Sequence, residues 1–232
     1  MSGAGKNMGI SENLRSVRER IAGAAASAGR ETGSIKLVAV SKGRSLEAMR
    51  EAIRAGQLVF GENRAQELRE KALLLGEGIE WHFVGHLQRN KVNMVVGRVA
   101  LIHSLDSPRL AAAISSRAEA LDMIQDVLLQ VNVSREEGKF GVEAEAAEGL
   151  LGEVMSLPGL RVRGLMTIAP EWAEGEKARP YFRALRELRD ALQEAFPQAD
   201  LALLSMGMTQ DFEVAVEEGA DIVRVGTAIF SD

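Results

Sequence analysis

The sequence contains no cysteine. This absence excludes disulfide bonds, thiolate nucleophiles and cysteine-based metal sites, and it suits a reducing compartment. Long uncharged stretches are also missing, because no run of about 18 residues is free of charge. The first residues lack the apolar segment that is typical of a signal peptide. We therefore expect a cytoplasmic protein that does not bind membranes.

An excess of basic residues is absent as well. The 28 Lys and Arg residues are outnumbered by 33 Asp and Glu residues, which gives a net charge of −5 and a pI near 5.4. Bulk electrostatics therefore argues against nucleic acid as a partner. With 46% hydrophobic and 26% charged residues among 232, the chain has the composition of a globular protein with a sizeable core.

The N-terminal residues carry a weak phosphate-loop motif, Gly3-Ala4-Gly5-Lys6. A phosphate loop needs an earlier glycine and a preceding strand, and the sequence offers neither. We predict that residues 1–10 are a flexible tail and that 11–232 form a single domain. Nothing in the composition divides that stretch, since it has no linker or low-complexity segment.

Short apolar runs alternate with segments of helical periodicity along the whole chain. Ser11 is a candidate cap for a first helix, whose apolar stripe ends before Gly29, and Ser107 precedes Pro108 at the start of a later one. Strands are predicted at 35–40, 58–61, 81–84, 99–104, 127–133, 162–168, 201–204 and 222–225. Eight strands separated by helices predict an α/β fold, a (β/α)8 TIM barrel with an extra N-terminal helix. An open doubly wound sheet is the alternative.

Lys42 directly follows the first predicted strand. In a barrel of this type, chemistry occurs where strands end and loops begin. We expect poor solvation there, which would lower the pKa of the lysine and favour imine formation with an aldehyde. The alternative is a lysine that extends out of the rim into water.

The loops after strands seven and eight combine glycine with hydroxyl side chains. Ser205 and Gly207 lie in the first loop, and Gly226 and Thr227 lie in the second. In barrels these two loops are the usual phosphate site, because glycine lets backbone N–H groups approach an anion. We predict a phosphate cradle, although the glycines could equally serve tight turns.

Arg224 interrupts an otherwise apolar strand and shares a strand face with Gly226. A buried arginine requires a partner. If Gly226 contacts a phosphate, Arg224 lies one layer deeper and could bond another part of the same ligand. An ion pair inside the barrel, for example with Glu62, is an equally good interpretation.

The histidines and the single tyrosine give weaker signals. His82 and His86 are four residues apart, but the strand-like residues between them do not give the helical spacing of a metal pair, so we predict no metal site. His103 ends a strand and could bond either backbone or ligand. Tyr181 lies on an apolar helical stripe, which indicates packing.

Several motifs, taken in order, are similar to those of the pyridoxal phosphate homeostasis protein (YggS-like) family, whose barrel resembles the N-terminal domain of alanine racemase. One motif alone would be a weak signal, whereas so many in the same order are specific. They are Val38-Ala39-Val40-Ser41-Lys42, Phe60-Gly61-Glu62-Asn63, Trp81-His82-Phe83-Val84-Gly85, His103-Ser104-Leu105-Asp106, Gly138-Lys139-Phe140-Gly141, Gly164-Leu165-Met166, Leu204-Ser205-Met206-Gly207-Met208 and Val223-Arg224-Val225-Gly226-Thr227.

The resemblance implies a fold-type III barrel that binds pyridoxal 5′-phosphate (PLP). It implies a Schiff base between PLP and Lys42, an Arg224 that faces the pyridine nitrogen and an Asn63 near the ring. It also implies that the phosphate is held by four residues of the two late loops. These are Ser205, Gly207, Gly226 and Thr227.

The function that this resemblance implies is PLP homeostasis, the buffering or delivery of the cofactor to PLP-requiring apo-enzymes by a monomer without a robust reaction of its own. Two alternatives stay open. One is a PLP-dependent amino-acid racemase-like enzyme, which needs a second catalytic base. The other is a cofactor-free aldolase that forms a Schiff base through Lys42.

Overall fold

A computed structural model describes residues 9–136 and 138–231. Nine helices and nine strands are present in that part of the chain. The helices are α1 (Ile10–Ser27), α2 (Leu46–Arg54), α3 (Ala65–Leu75), α4 (Val92–Val95), α5 (Pro108–Glu119), α6 (Ala147–Met155), α7 (Arg179–Ala195), α8 (Phe212–Glu217) and α9 (Thr227–Phe230). The strands are β1 (Lys36–Val40), β2 (Val59–Glu62), β3 (Glu80–Phe83), β4 (Leu101–Leu105), β5 (Gln125–Asn132), β6 (Val142–Glu143), β7 (Leu160–Met166), β8 (Leu203–Ser205) and β9 (Ile222–Val225).

Eight of the strands close into a parallel barrel. Strands β1 to β5 pair in sequence, β5 pairs with β7, and β9 returns to β1. The two-residue strand β6 adds to β5 at one end. The predicted (β/α)8 barrel is therefore confirmed, and the open doubly wound sheet is wrong. All eight predicted strands overlap the observed ones.

The barrel has two apolar regions, because alternate residues of each strand point inward and outward. The larger core lies between the strands and the helices that surround them. A smaller cluster fills the barrel interior, and its buried members are Val38, Leu101, Leu128, Met166 and Ile222. The polar side chains inside the barrel therefore lie next to this apolar cluster, where each needs a hydrogen-bond partner.

Helix α1 packs against α8 and α9, the last two helices of the chain. The Asn13 side chain, which is buried, donates to the carbonyl of Ile229 at 3.1 Å. The helix begins at Ile10 with Gly9 as its N-cap, so Ser11 is not the cap and residue 10 is not part of a tail. Gly29 follows the helix end with φ +67°, as predicted. Residues 1–8 of the predicted tail lie outside the described residues.

Helix α5 starts where the sequence predicts, with Ser107 as N-cap and Pro108 at the first helical position. Two short elements were not predicted, namely β6 and α9. Within residues 9–136 and 138–231, none of the helices combines the length and the apolar composition needed to cross a membrane.

Candidate functional site

The carboxyl ends of β1, β2, β8 and β9 meet at one mouth of the barrel. Val40 pairs with Gly61, Ala39 pairs with Val225, and the Arg224 amide donates to the Gly207 carbonyl at 2.9 Å. Five of the seven predicted site residues follow these strands, while Ser205 is the last residue of β8 and Arg224 is inside β9. The structure therefore brings the predicted residues together at this mouth.

Lys42 lies in the turn that follows β1. Its neighbours are fixed, because the Ser41 amide donates to the Gly61 carbonyl at 3.0 Å and the Gly43 amide donates to Glu67 Oε2 at 2.9 Å. Gly43 has φ +67°, a conformation that glycine adopts without strain. The Lys42 side chain itself is exposed. The expectation that it is poorly solvated is therefore wrong.

A buried ion pair supports this turn from behind. Lys71 Nζ lies 2.6 Å from Glu62 Oε1 and 2.7 Å from the Ser41 carbonyl, and the Ser41 hydroxyl donates to Glu62 at 2.7 Å. Burial raises the pKa of Glu62, while the hydrogen bond from Lys71 opposes that shift. The alternative ion pair between Glu62 and Arg224 is wrong. Lys71 was missed, although its place among the apolar positions of α3 was a signal.

Arg224 is buried inside the barrel and bonded on two sides. Its NH1 group donates to Ser205 Oγ at 2.6 Å, and its NH2 group donates to the Thr167 carbonyl at 2.8 Å. Burial lowers the pKa of Arg224 to about 10, so the guanidinium stays charged at neutral pH. Two bonds leave other N–H groups of the five available for a ligand.

Ser205 is fully buried, and its hydroxyl is already engaged. Besides the bond from Arg224, Ser205 Oγ lies 2.9 Å from His103 Nδ1. Strand alternation points this side chain into the barrel, where two polar neighbours use its hydroxyl. The contact from Ser205 to a phosphate stays a prediction, and these two bonds argue against it.

The two late loops are joined by a threonine that was not predicted as a site residue. Thr209 Oγ1 accepts from the Ala228 amide at 3.3 Å, which leaves its hydroxyl proton free to donate. Thr227 is exposed as the first residue of α9, directly after the N-cap Gly226, whose carbonyl accepts from the amides of Ile229 and Phe230. A hydroxyl after a glycine loop was the signal for Thr209.

The two glycines of the predicted phosphate cradle lie close to neighbouring atoms. Gly207 has φ +92°, and a Cβ there would lie 2.5 Å from Ala215 Cβ. A Cβ at Gly226 would lie 3.2 Å from the carbonyl oxygen of Val40. Glycine is therefore needed at position 207, where φ and contact both exclude a side chain, whereas a Cβ at position 226 would make one tight contact.

Asn63 follows β2 at the same mouth. Its Oδ1 atom is buried and has no hydrogen-bond partner among the described residues. A Cβ at Gly85 would lie 2.3 Å from the Asn63 carbonyl oxygen, so the backbone after β3 packs directly against this residue. A buried acceptor without a partner is unfavourable, and a ligand donor would relieve it.

The barrel interior below Ser205 holds two bonded histidines. His103 Nε2 lies 2.8 Å from His82 Nδ1, and His82 Nε2 lies 2.8 Å from Glu80 Oε1. His86 lies elsewhere, stacked on Phe140 with ring centroids 3.8 Å apart. His82 and His86 therefore do not form a pair. In the described part of the chain, no group of three His, Cys, Asp or Glu side chains could hold a metal ion.

These histidines predict a pH dependence of stability. Burial lowers the pKa of His82 and lowers that of His103 well below its ordinary value. Below about pH 6.5 the unfolded chain therefore binds more protons at these two histidines than the folded chain does, so stability decreases as the pH is lowered. We expect urea unfolding between pH 7 and 5 to show an added decrease in stability, which for each histidine has an upper limit of about 1.4 kcal/mol per pH unit.

A double variant, His82→Gln with His103→Gln, isolates this contribution because all carboxylates remain. Its stability should depend less on pH than that of the unmodified protein, whereas His86→Gln should behave like the unmodified protein. The Glu80 carboxyl, whose pKa of about 2 results first from its hydrogen bond with His82, loses its stabilising contribution only as the pH falls below about 4.5. Equal pH slopes in all three proteins would contradict the assignment.

Comparison of the sequence and the structure with known proteins identifies the family to which this barrel belongs. The family described as "Alanine racemase, N-terminal domain" matches residues 10–232. Solved alanine racemases share only the fold: that of Clostridium difficile 630 is 17% identical with a TM-score of 0.74, and the match covers 95% of this chain and 57% of that one. The fold and site define a barrel of the alanine racemase N-terminal-domain class.

More similar relatives narrow the class. A pyridoxal phosphate homeostasis protein of Aquifex aeolicus is 49% identical over 226 residues, which cover 97% of this chain and 99% of the relative. One from Escherichia coli K12 is 38% identical and covers 95% of each. The structure of PipY from Synechococcus elongatus with PLP bound is 35% identical, with a TM-score of 0.85 and coverage of 96% and 100%. The chain belongs to the pyridoxal phosphate homeostasis protein family, as its motifs predicted.

Proposed function

We propose that this chain binds PLP and acts in PLP homeostasis, by buffering or delivering the cofactor. The observation that carries the proposal is the combination of a buried, charged Arg224 on β9 with an exposed Lys42 after β1, the strand that pairs with β9, in a racemase-like barrel. A PLP-bound structure of the relative PipY supports the same ligand.

The residues at the mouth fit PLP. When bound, PLP supplies an aldehyde that a lysine amine can attack to form a Schiff base. Lys42 supplies that amine, and Arg224 supplies a donor for the ring nitrogen. Asn63, whose buried Oδ1 lacks a partner, lines the mouth near the ring.

The phosphate of PLP is assigned to the loops after β8 and β9. Gly207, Gly226 and Thr227 are retained from the sequence prediction, and Thr209 replaces Ser205 as the second hydroxyl donor. The link from the Ala228 amide to Thr209 Oγ1 holds both loops together, so their donors converge. Ser205 instead accepts a hydrogen bond from Arg224 and so helps to hold its guanidinium.

A carrier is favoured over a racemase by the placement of the single tyrosine. A charged arginine opposite the ring nitrogen makes the ring a poorer electron sink, but racemases of similar barrel design tolerate such an arginine, so it does not separate the two functions. The single tyrosine, Tyr181, lies on α7, where its ring meets Trp172 edge-on with centroids 6.2 Å apart. It therefore packs against a neighbour and is not placed as a second base.

The proposal also covers the recipients of the cofactor and the place where the chain acts. We propose that it delivers PLP to PLP-requiring apo-enzymes and that it acts as a cytoplasmic monomer with one PLP-binding domain. No steady reaction is part of this role. The racemase and the cofactor-free aldolase are the two competing functions.

One experiment separates all three. The purified protein is incubated with PLP, dialysed and examined for a visible absorption band, and then tested with a panel of L-amino acids for formation of D-enantiomers. A carrier gives the band without steady turnover. Rapid racemisation at rates typical of enzymes would favour the racemase, and a protein that retains no PLP but cleaves a sugar phosphate would be an aldolase.

A further inference from the structure

A continuous line of hydrogen-bonded side chains crosses the barrel interior from one mouth to the other. We call it the axial chain. Its members come from five strands and are Lys36, Glu80, His82, His103, Ser205 and Arg224. The proposed cofactor site contacts only one end of it, at Arg224.

The far end of the axial chain lies at the amino-terminal mouth of the barrel. Lys36 Nζ donates to Glu80 Oε1 at 2.6 Å, and both side chains line a cavity of about 390 Å³ at that mouth. The hydrogen bond from His82, aided by Lys36, lowers the pKa of Glu80 to about 2. Glu80 is therefore ionised at neutral pH and can only accept hydrogen bonds.

An ionised Glu80 determines the tautomer of His82. Because the carboxylate can only accept, His82 Nε2 must carry the proton that it donates at 2.8 Å. Burial lowers the pKa of His82, so the ring is neutral and its other nitrogen, Nδ1, is a bare acceptor. The bond between the two histidines therefore runs from His103 Nε2–H to His82 Nδ1.

The same reasoning carries the direction to Arg224. His103 is fully buried and neutral, so with its proton on Nε2 its Nδ1 atom must accept. The Ser205 hydroxyl then donates its only proton to His103 Nδ1, at 2.9 Å. The Ser205 oxygen keeps only lone pairs, and these accept from Arg224 NH1 at 2.6 Å.

We infer that His103 is a positioning residue for Arg224. By accepting the hydrogen bond from the Ser205 hydroxyl, it leaves only the lone pairs of Ser205 Oγ facing Arg224, which holds one side of the guanidinium and leaves its remaining donors for the ring nitrogen of PLP. This last contact rests on the proposed function. The direction of the axial chain does not, because it follows from Glu80 and the two neutral rings alone.

Nitrogen-15 NMR of the cofactor-free protein tests the direction of the axial chain. The sequence has only three histidines, so His86→Gln and His82→Gln assign the three rings. We expect His82 and His103 both to be neutral at pH 7 with the proton on Nε2. A proton on Nδ1 of His103, or a charged His103 ring, would overturn the inference whether or not the protein binds PLP.

A matched pair of variants tests the effect on Arg224. His103→Gln retains one acceptor and one donor, whereas His103→Leu retains neither and leaves the Ser205 proton without its acceptor. The readout is the chemical shift of the ring nitrogen in bound ¹⁵N-labelled PLP, which responds to the loss of a donor. We expect the shift to move in His103→Leu and PLP affinity to fall about tenfold, with both restored toward the unmodified values in His103→Gln.

The outcomes remain separable. An unchanged ring-nitrogen shift in a folded His103→Leu protein would overturn the positioning role. If that variant fails to fold, the tautomers measured in the unmodified protein still decide the direction on which the role depends. Failure of the unmodified protein to retain PLP would contradict the proposed function, and would do so in a measurement independent of the histidine tautomers.

Discussion

Replacing Lys42 by alanine is expected to abolish the covalent attachment of PLP. After incubation with PLP and reduction with borohydride, the unmodified protein should carry the label on the peptide that contains Lys42, and the variant should carry none there. The visible absorption band should disappear with it. The reason is that this amine supplies the covalent bond, while the phosphate and ring contacts provide only non-covalent affinity.

Stability should hardly change, because the Lys42 side chain is exposed and the turn around it is held by the backbone of Ser41 and Gly43. A surface substitution of this kind alters the free energy of unfolding by about 0.5 kcal/mol or less. Lys177→Ala, at another exposed lysine, is the matched control and should retain full labelling. Full labelling of Lys42→Ala at a different residue, such as Lys139, would show that the amine is wrongly assigned.

The barrel could be predicted from the sequence because its determinants are local and repeated. Each strand is a short apolar run, and each helix has periodic apolar positions, so eight repetitions define the closed fold. The elements that were missed have no such periodicity. Strand β6 has two residues and α9 has four, and both form only because β5 and Gly226 provide the neighbouring backbone.

Side-chain partners were harder to predict than side-chain positions. Alternation correctly placed Arg224 inside the barrel, but it could not choose between a ligand, Glu62 and Ser205 as partners. That choice depends on α3, which brings Lys71 within 2.6 Å of Glu62 and leaves Arg224 to Ser205. Residues far apart in the sequence meet there, so no local pattern contains the information.

Ser205 illustrates the same limit at the cradle. Its position at the end of β8 beside a glycine loop is typical of a phosphate donor. The sequence gives no sign that its hydroxyl donates a hydrogen bond to His103 instead. The two residues are 102 positions apart in the chain, and the closed barrel brings them together. Thr209, four residues further along, lies where the two loops meet and is the better candidate for the hydroxyl donor.

The phosphate cradle itself predicts a selective loss of affinity. Thr209→Val combined with Thr227→Val removes two hydroxyl donors while keeping the branched shape of both side chains. Each hydrogen bond to a charged group contributes about 1.5–3 kcal/mol, so PLP binding should weaken about a hundredfold or more. Pyridoxal has no phosphate and should bind the double variant almost as well as it binds the unmodified protein.

Equilibrium titration with both ligands measures this difference, and Thr32→Val serves as the control because Thr32 is exposed and belongs to the segment that precedes β1, at the opposite mouth. That substitution should leave both affinities unchanged. The Thr209 hydroxyl also accepts from the Ala228 amide, so some loosening of the two loops is expected in the double variant. Because Gly207 and Gly226 of these loops are also assigned to the phosphate, such loosening would weaken PLP more than pyridoxal. The single variants separate the two effects, because only Thr209 accepts from the Ala228 amide, so a selective loss in Thr227→Val alone reports the hydroxyl contact. Equal losses for the two ligands would place the phosphate away from these loops.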